Sequence, residues 1–292
     1  MDLDLNTLLT MQRIDPAKTL ILRHRPFEAS LDRVLPWLAA EKPEVFNAYQ
    51  QSQGPVLERA MLGAKHLVSC IRNAPGRALL VGIYAIGTAR SITVEEFWQM
   101  PEHKQAANFG YQGFKADAQR PTTLFFDLQL QDSLAQWKGK LVLEWRGGER
   151  SWWRWANRNV LRVHAILEES ALAAAPPPWD EMRFSWNELQ VLPQRWRNAL
   201  EHWRGIYFIL DESDGRGYVG SAYSNTNILG RWLGYAATGH GGNVQLRNRD
   251  PQRFRFSILE RVSPDMPADE VIRREASWKL RLHTREYGLN SN

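Results

Sequence analysis

Apolar positions change their spacing along this chain. Over residues 1 to about 72 they recur at helical intervals, as in Leu31, Val34, Leu35 and Leu38, then Leu57, Met61, Ala64 and Val68, which predicts amphipathic helices. From 77 to 170 they alternate or run together between turn signals such as Gly147-Gly148. This predicts strands over 78–86, 123–130, 140–145 and 160–167, and with them a curved sheet or small barrel. The run Ala-Leu-Ala-Ala-Ala-Pro-Pro-Pro at 171–178 breaks the pattern, because consecutive prolines remove backbone donors and hold an extended path.

Beyond the break, 186–203 reads as a helical or irregular arm. Residues 205–210 and 217–221 read as two strands joined by Asp214-Gly215-Arg216-Gly217, a hairpin turn. A helix is predicted over 228–238, with Leu229, Trp232, Leu233 and Ala236 as its apolar stripe and Arg231 and Tyr235, four apart, on another face. A third strand follows at 254–261, then a second helix from Pro267 to about residue 284. The expected fold is α+β. A mixed N-terminal domain (1–170) precedes a linker (171–185), a connecting arm (186–202) and a domain with a small antiparallel sheet flanked by helices (203–292).

Composition narrows the class. With 43% hydrophobic and 24% charged residues the chain reads as globular, and its 292 residues suffice for two domains. No apolar run is long enough to span a bilayer, and the N-terminus lacks the basic start of a signal peptide, so a cytoplasmic location is expected. The single cysteine, Cys70, excludes an internal disulfide and a cysteine zinc cluster. From Pro193 onward there are 15 Lys+Arg against 11 Asp+Glu, a net of +4, which leaves 22 against 21, or +1, before it. Of those 15 cations 14 are arginine, the side chain whose planar fork best matches phosphate.

The sequence Gly205-Ile206-Tyr207, then Tyr218-Val219-Gly220, then Arg231, Tyr235, Glu275 and Asn290 in order, carries the chemistry. A second Gly-Ile-Tyr at 82–84 lacks the partner tyrosine motif and the Arg-Glu-Asn succession, and is read as a decoy. The set at 205–290 resembles the GIY-YIG nuclease superfamily, over about residues 203–292. The resemblance implies a DNA endonuclease in which Glu275 binds one Mg²⁺ or Mn²⁺, with waters and phosphate oxygens completing the shell. Arg231 would stabilise the charge that builds on the scissile phosphate. Tyr207 is taken as general base and Tyr218 as a positioning group, although a free phenol titrates near about 10. Tyr235 would orient the attacking water and Asn290 would hold the geometry. Gly205 and Gly220 mark places of close backbone approach or an unobstructed phosphate. Glu275, Arg231 and the phenols of Tyr207 and Tyr218 are expected to converge around one hydrated ion.

Two positions depart from the family pattern. Ser221 stands where many relatives have lysine, and the interval from Gly220 to Arg231 is longer than in repair-type members. His240, Asn243, Arg247 and Arg249 follow the first helix in a glycine-rich, polar and basic stretch and are candidate DNA contacts. In the N-terminal part, Trp137, Trp145, Trp152, Trp153 and Trp155 are interleaved with Arg146, Arg150, Arg154 and Arg158. Rings and guanidinium groups in alternation suit nucleic acid, and equally suit the core of a small sheet; Trp152, Trp153 and Arg154 are the candidate contacts. The whole reads as a restriction or phage-defence endonuclease with a target-reading domain, acting on DNA and possible as a homodimer. A repair or mobile-element nuclease, and a nucleic-acid-binding protein that has lost activity, are the alternatives. The chain stops just past Asn290, which speaks against the homing type with a DNA-binding module at that side.

Overall fold

The computed structural model describes residues 3–147, 151–223 and 227–291. They form two units, Met1–Ala174 and Ala175–Asn292.

In the first unit the elements run α1 (Leu5–Met11), β1 (Thr19–His24), α2 (Ala29–Glu41), α3 (Pro43–Gln51), α4 (Pro55–Gly63), β2 (His66–Arg72) and β3 (Arg77–Ile92). Then come α5 (Val94–Gln99), α6 (Pro101–Ala107), β4 (Thr123–Gln131), β5 (Leu141–Glu144), β6 (Trp153–Trp155) and β7 (Val163–Ile166). The strands build a seven-stranded sheet in the order β6-β1-β2-β3-β5-β7, with β4 also on β3. β1 and β2 are parallel, the pairing that requires a long crossover, and α2, α3 and α4 lie in the connection. Among the described residues the sheet is a curled half-barrel, the curved form of the expected architecture, and its strand pairings do not close it into a barrel.

Two corrections to the sequence reading follow from burial. β1 and β2 lie in the stretch read as helical, and Val68, counted into a helical stripe, sits on β2. Every residue of β1 is buried, with Leu20 and Leu22 in a core against α4 and Ile21 in a second core against α1, so no polar alternation marks the strand. Conversely, α5 and α6 occupy a stretch read as extended. The sequence did carry a sign of α5, since Thr93 and Glu96 form a capping box.

His24, at the end of β1, is buried, donates from Nε2 to Gln50 Oε1 at 3.2 Å, and is held down to about 4 from an ordinary 6.5 by desolvation. A folded-state value below the unfolded one keeps its stability contribution above pH 6.5 and loses it as pH falls towards 4. The first unit is therefore expected to lose about 3 kcal/mol between pH 7 and 4 from this group. Urea unfolding of wild type beside His24→Gln checks this, since the variant should show a flatter acid limb.

In the second unit β8 (Arg183–Ser185), α7 (Trp186–Leu189) and α8 (Gln194–His202) lead into β9 (Arg204–Asp211), β10 (Gly217–Ala222), α9 (Asn227–Thr238), β11 (Phe254–Val262) and α10 (Ala268–Arg281). The antiparallel sheet has the order β10-β9-β11-β8. β8 falls within the stretch read as linker; three residues are too few to show a period, and only pairing with β11 defines them as a strand. One face packs Ile206, Val219 and Val262 against Val271 of α10. The other is aromatic: Trp232 of α9 stands edge-on to Tyr207 and Phe184 and tilts against Phe256.

Candidate active site

The β9–β10 ladder places Tyr207 opposite Gly220 and Ile206 opposite Ser221. Residues opposite one another in an antiparallel pair share a face, and neighbours alternate. Tyr207, Tyr218 and Gly220 thus face α9, while Ser221, with Ile206 and Val219, faces α10.

On the α9 face three phenols gather. Ring centroids are 6.5 Å apart for Tyr207 and Tyr218, 6.1 Å for Tyr207 and Tyr235, and 6.0 Å for Tyr218 and Tyr235. The Tyr207 and Tyr235 hydroxyls are 3.1 Å apart. Tyr207 and Tyr235 are buried and Tyr218 half-buried. Burial pushes the Tyr207 phenol up, the neighbouring Tyr218 adds to this, and the Arg231 guanidinium opposes it. Burial likewise raises Tyr235, with Tyr207 and Tyr218 adding to it. Arg231 in turn is held in its charged form, chiefly by Tyr207. This arrangement depends on glycine at 220: a Cβ there would lie 2.5 Å from Tyr207 Cζ, so the ring can lie across β10 only because the position has no side chain. Gly205 serves a different contact, because a Cβ there would strike the Glu260 carbonyl beside the irregularity in the β9–β11 pairing.

Glu275 belongs to the opposite face. One carboxylate oxygen accepts from the Ser221 hydroxyl, and the other pairs with Lys279 Nζ at 2.8 Å. The side chains of Glu275 and Lys279 are 16% and 10% exposed, so this is not a solvated surface pair. The structure therefore brings Tyr207, Tyr218, Arg231 and Tyr235 together. It sets Glu275 on the far side of β10, joined to them through the consecutive residues Gly220 and Ser221. β10 is an edge strand, and its rim is where the two faces meet. Asn290 holds this rim: its Oδ1 accepts from Val219 N–H and its Nδ2 donates to Val219 O, both at 2.9 Å, as a paired strand would. Leu289 N–H adds a bond to Gly217 O at 2.8 Å.

The other candidates divide. Arg249 is braced by Asp211 at 2.6 Å and Asp214 at 2.9 Å, which spends its charge on the β9–β10 turn. Asn243 caps the short turn at Val244–Leu246, and His240 Nδ1 accepts from Gly242 N–H. Arg247 is exposed. In the first unit Trp145 is buried and stacked under Arg154, while Trp137, Trp152, Trp153 and Trp155 are half-buried against the two cores. Most of these rings are therefore core. Arg150 lies outside the described residues.

The Gly-Ile-Tyr at 82–84 is mid-strand in β3, with Tyr84 buried and pushed up to about 12 by burial. Tyr84→Phe should leave nuclease rates within about twofold and cost about 1 kcal/mol of stability through the lost hydroxyl contact; a folded but inactive variant in a cleavage assay would overturn this.

No family model matches the chain, and no curated protein matches it. Two solved structures do. One is titled the catalytic domain of intron endonuclease I-TevI, in a mutant form, at 27% identity, covering 31% of this chain and 94% of that one with a TM-score of 0.26. The other is the catalytic domain of homing endonuclease I-TevI, at 29% identity over 30% of this chain and 96% of that one, also at 0.26. No helix among the described residues is long and apolar enough to cross a membrane.

Proposed function

We propose that the second unit is a GIY-YIG-type endonuclease that hydrolyses DNA phosphodiester bonds. The observation that carries this reading is the three-tyrosine cluster with Arg231 at its side, built on one face of an edge strand whose next residue, Ser221, holds the motif's carboxylate. The phosphate would lie beside the partly exposed Tyr218. Arg231, beside the three phenols, would meet the charge that grows on the phosphate oxygens. Tyr218, the partly exposed phenol, makes the first contact with the attacking water, and the buried Tyr207 and Tyr235 fix its position. This reverses the roles expected from sequence, because a phenol raised by burial and bonded to its neighbour is a poor first acceptor of a proton.

No cluster of three or more metal-ligating side chains occurs among the described residues. Glu275 alone suits a hard divalent ion that keeps most of its waters, with Lys279 the cation it displaces. Bound there, Mg²⁺ or Mn²⁺ would neutralise the phosphate and acidify a water. We place this activity in restriction or phage defence, with the first unit choosing the target. The test is plasmid cleavage by wild type, with unmodified and base-modified DNA. Cutting with Mg²⁺ that EDTA abolishes is expected; DNA binding without cutting on every substrate would favour the inactive binding protein.

A further inference from the structure

The first unit contains a cavity of about 440 Å³, within the range of small-molecule sites. It opens between the loop after β1, the end of α3, the loop after α6 and the start of β6. Its walls are aromatic. The Tyr49 and Tyr111 rings are 5.3 Å apart and edge-on, and Trp152 and the fully exposed Phe27 complete the lining. Polar side chains interrupt this surface, Arg25, Ser52 and Gln112 among them, and Glu28 and Gln53 supply acceptors. Burial raises the Tyr49 and Tyr111 phenols and the nearby Glu28 adds to this, while Gln53 anchors its amide nitrogen on Gln50 O at 2.9 Å. An adjoining recess of about 240 Å³ shares Ser52, Gln53, Tyr111 and Gly113 with the cavity and adds Lys115 and Arg120. Arg120 is bonded to Glu58 and Thr123, whereas Lys115 is exposed and bonded only to a neutral group, Gln112 Oε1, at 3.0 Å among its described contacts.

Aromatic rings around one cavity, acceptors among them and a cation in the adjoining recess suit a ligand that is planar, carries an amino group and ends in an anion. We propose that this cavity receives a nucleobase bearing an exocyclic amine, turned out of a DNA strand, with its phosphate in the recess beside Lys115. Trp152 and Tyr111 stack on the base. Glu28 accepts from the amine, as carboxylates do from cytosine N4. Thymine, which offers a carbonyl at that edge, is disfavoured. The source of the base rests on the reading of the second unit as a DNA nuclease; the recognition of a base does not.

The test uses the full chain with Glu275→Gln, so that DNA stays intact. Titration with dCMP, dAMP and dTMP, followed by tryptophan fluorescence, should show dCMP or dAMP binding about tenfold or more tighter than dTMP. Phe27→Ala, at a fully exposed position, and Trp152→Ala should each weaken it several-fold. Lys115→Ala should weaken dCMP and dAMP while leaving the nucleosides unchanged, and affinity for single-stranded DNA should fall in the same variants. Absence of nucleotide binding, or binding indifferent to Phe27→Ala and Trp152→Ala, overturns the proposal. Nucleotide binding lost in the variants with DNA affinity unaltered rejects DNA as the source. Plasmid cutting by wild type is scored separately, so a dead nuclease with an intact base site, or the reverse, identifies which reading failed.

Discussion

Glu275→Gln should lower the rate of plasmid cleavage by about a thousandfold or more, about 4 kcal/mol of transition-state stabilisation, while DNA affinity stays within about twofold. The substitution keeps the shape of the side chain and an oxygen for the Ser221 hydroxyl, and it removes only the charge. A neutral amide binds a hard cation poorly, so the required Mg²⁺ concentration should rise. The same change takes the carboxylate from Lys279, the single lysine among the fifteen basic residues from Pro193 onward. With both side chains largely buried, this should cost about 1–3 kcal/mol of stability. Adding Lys279→Met to Glu275→Gln should recover much of that stability and none of the cleavage. Thermal unfolding and cleavage measured side by side separate the effects. Near-normal cutting by a folded Glu275→Gln enzyme would remove the carboxylate from the chemistry.

Arg231→Ala should be nearly as damaging to catalysis, by about 10³-fold, and far less to stability. Arg231 is exposed on α9, so few packing contacts go with it. What it supplies is charge beside Tyr207, Tyr218 and Tyr235. Its removal should also push the Tyr207 phenol further up, because the guanidinium is the main influence that lowers it. Arg231→Lys should restore part of the rate, since a point charge replaces the fork without its second hydrogen bond. Equal rates for Arg231→Ala and wild type would show that the guanidinium faces no developing charge.

Much of this protein was legible as sequence because it is local. The hairpin of β9 and β10 follows from alternation around Asp214-Gly215-Arg216-Gly217, and α9 from the spacing of Leu229, Trp232 and Ala236. Order and spacing distinguish Tyr207 from Tyr84 in the sequence, although both follow Gly-Ile. β1 and β2 were not legible because both their faces are buried, and β8 because three residues carry no period; such elements are defined by their partners.

Which residues share a face was decided only by tertiary structure. Strand register put Gly220 beneath the Tyr207 ring and sent Ser221 to the other side, where it binds Glu275 from a helix more than fifty residues away. The cavity among Phe27, Tyr49, Tyr111 and Trp152 draws on four separate segments, and no spacing along the chain relates them. Residue type and order determine what chemistry this chain has available. Burial and alternation across a sheet decide which of those groups meet, because a side chain's neighbours in space are set by long-range pairing that no local pattern encodes.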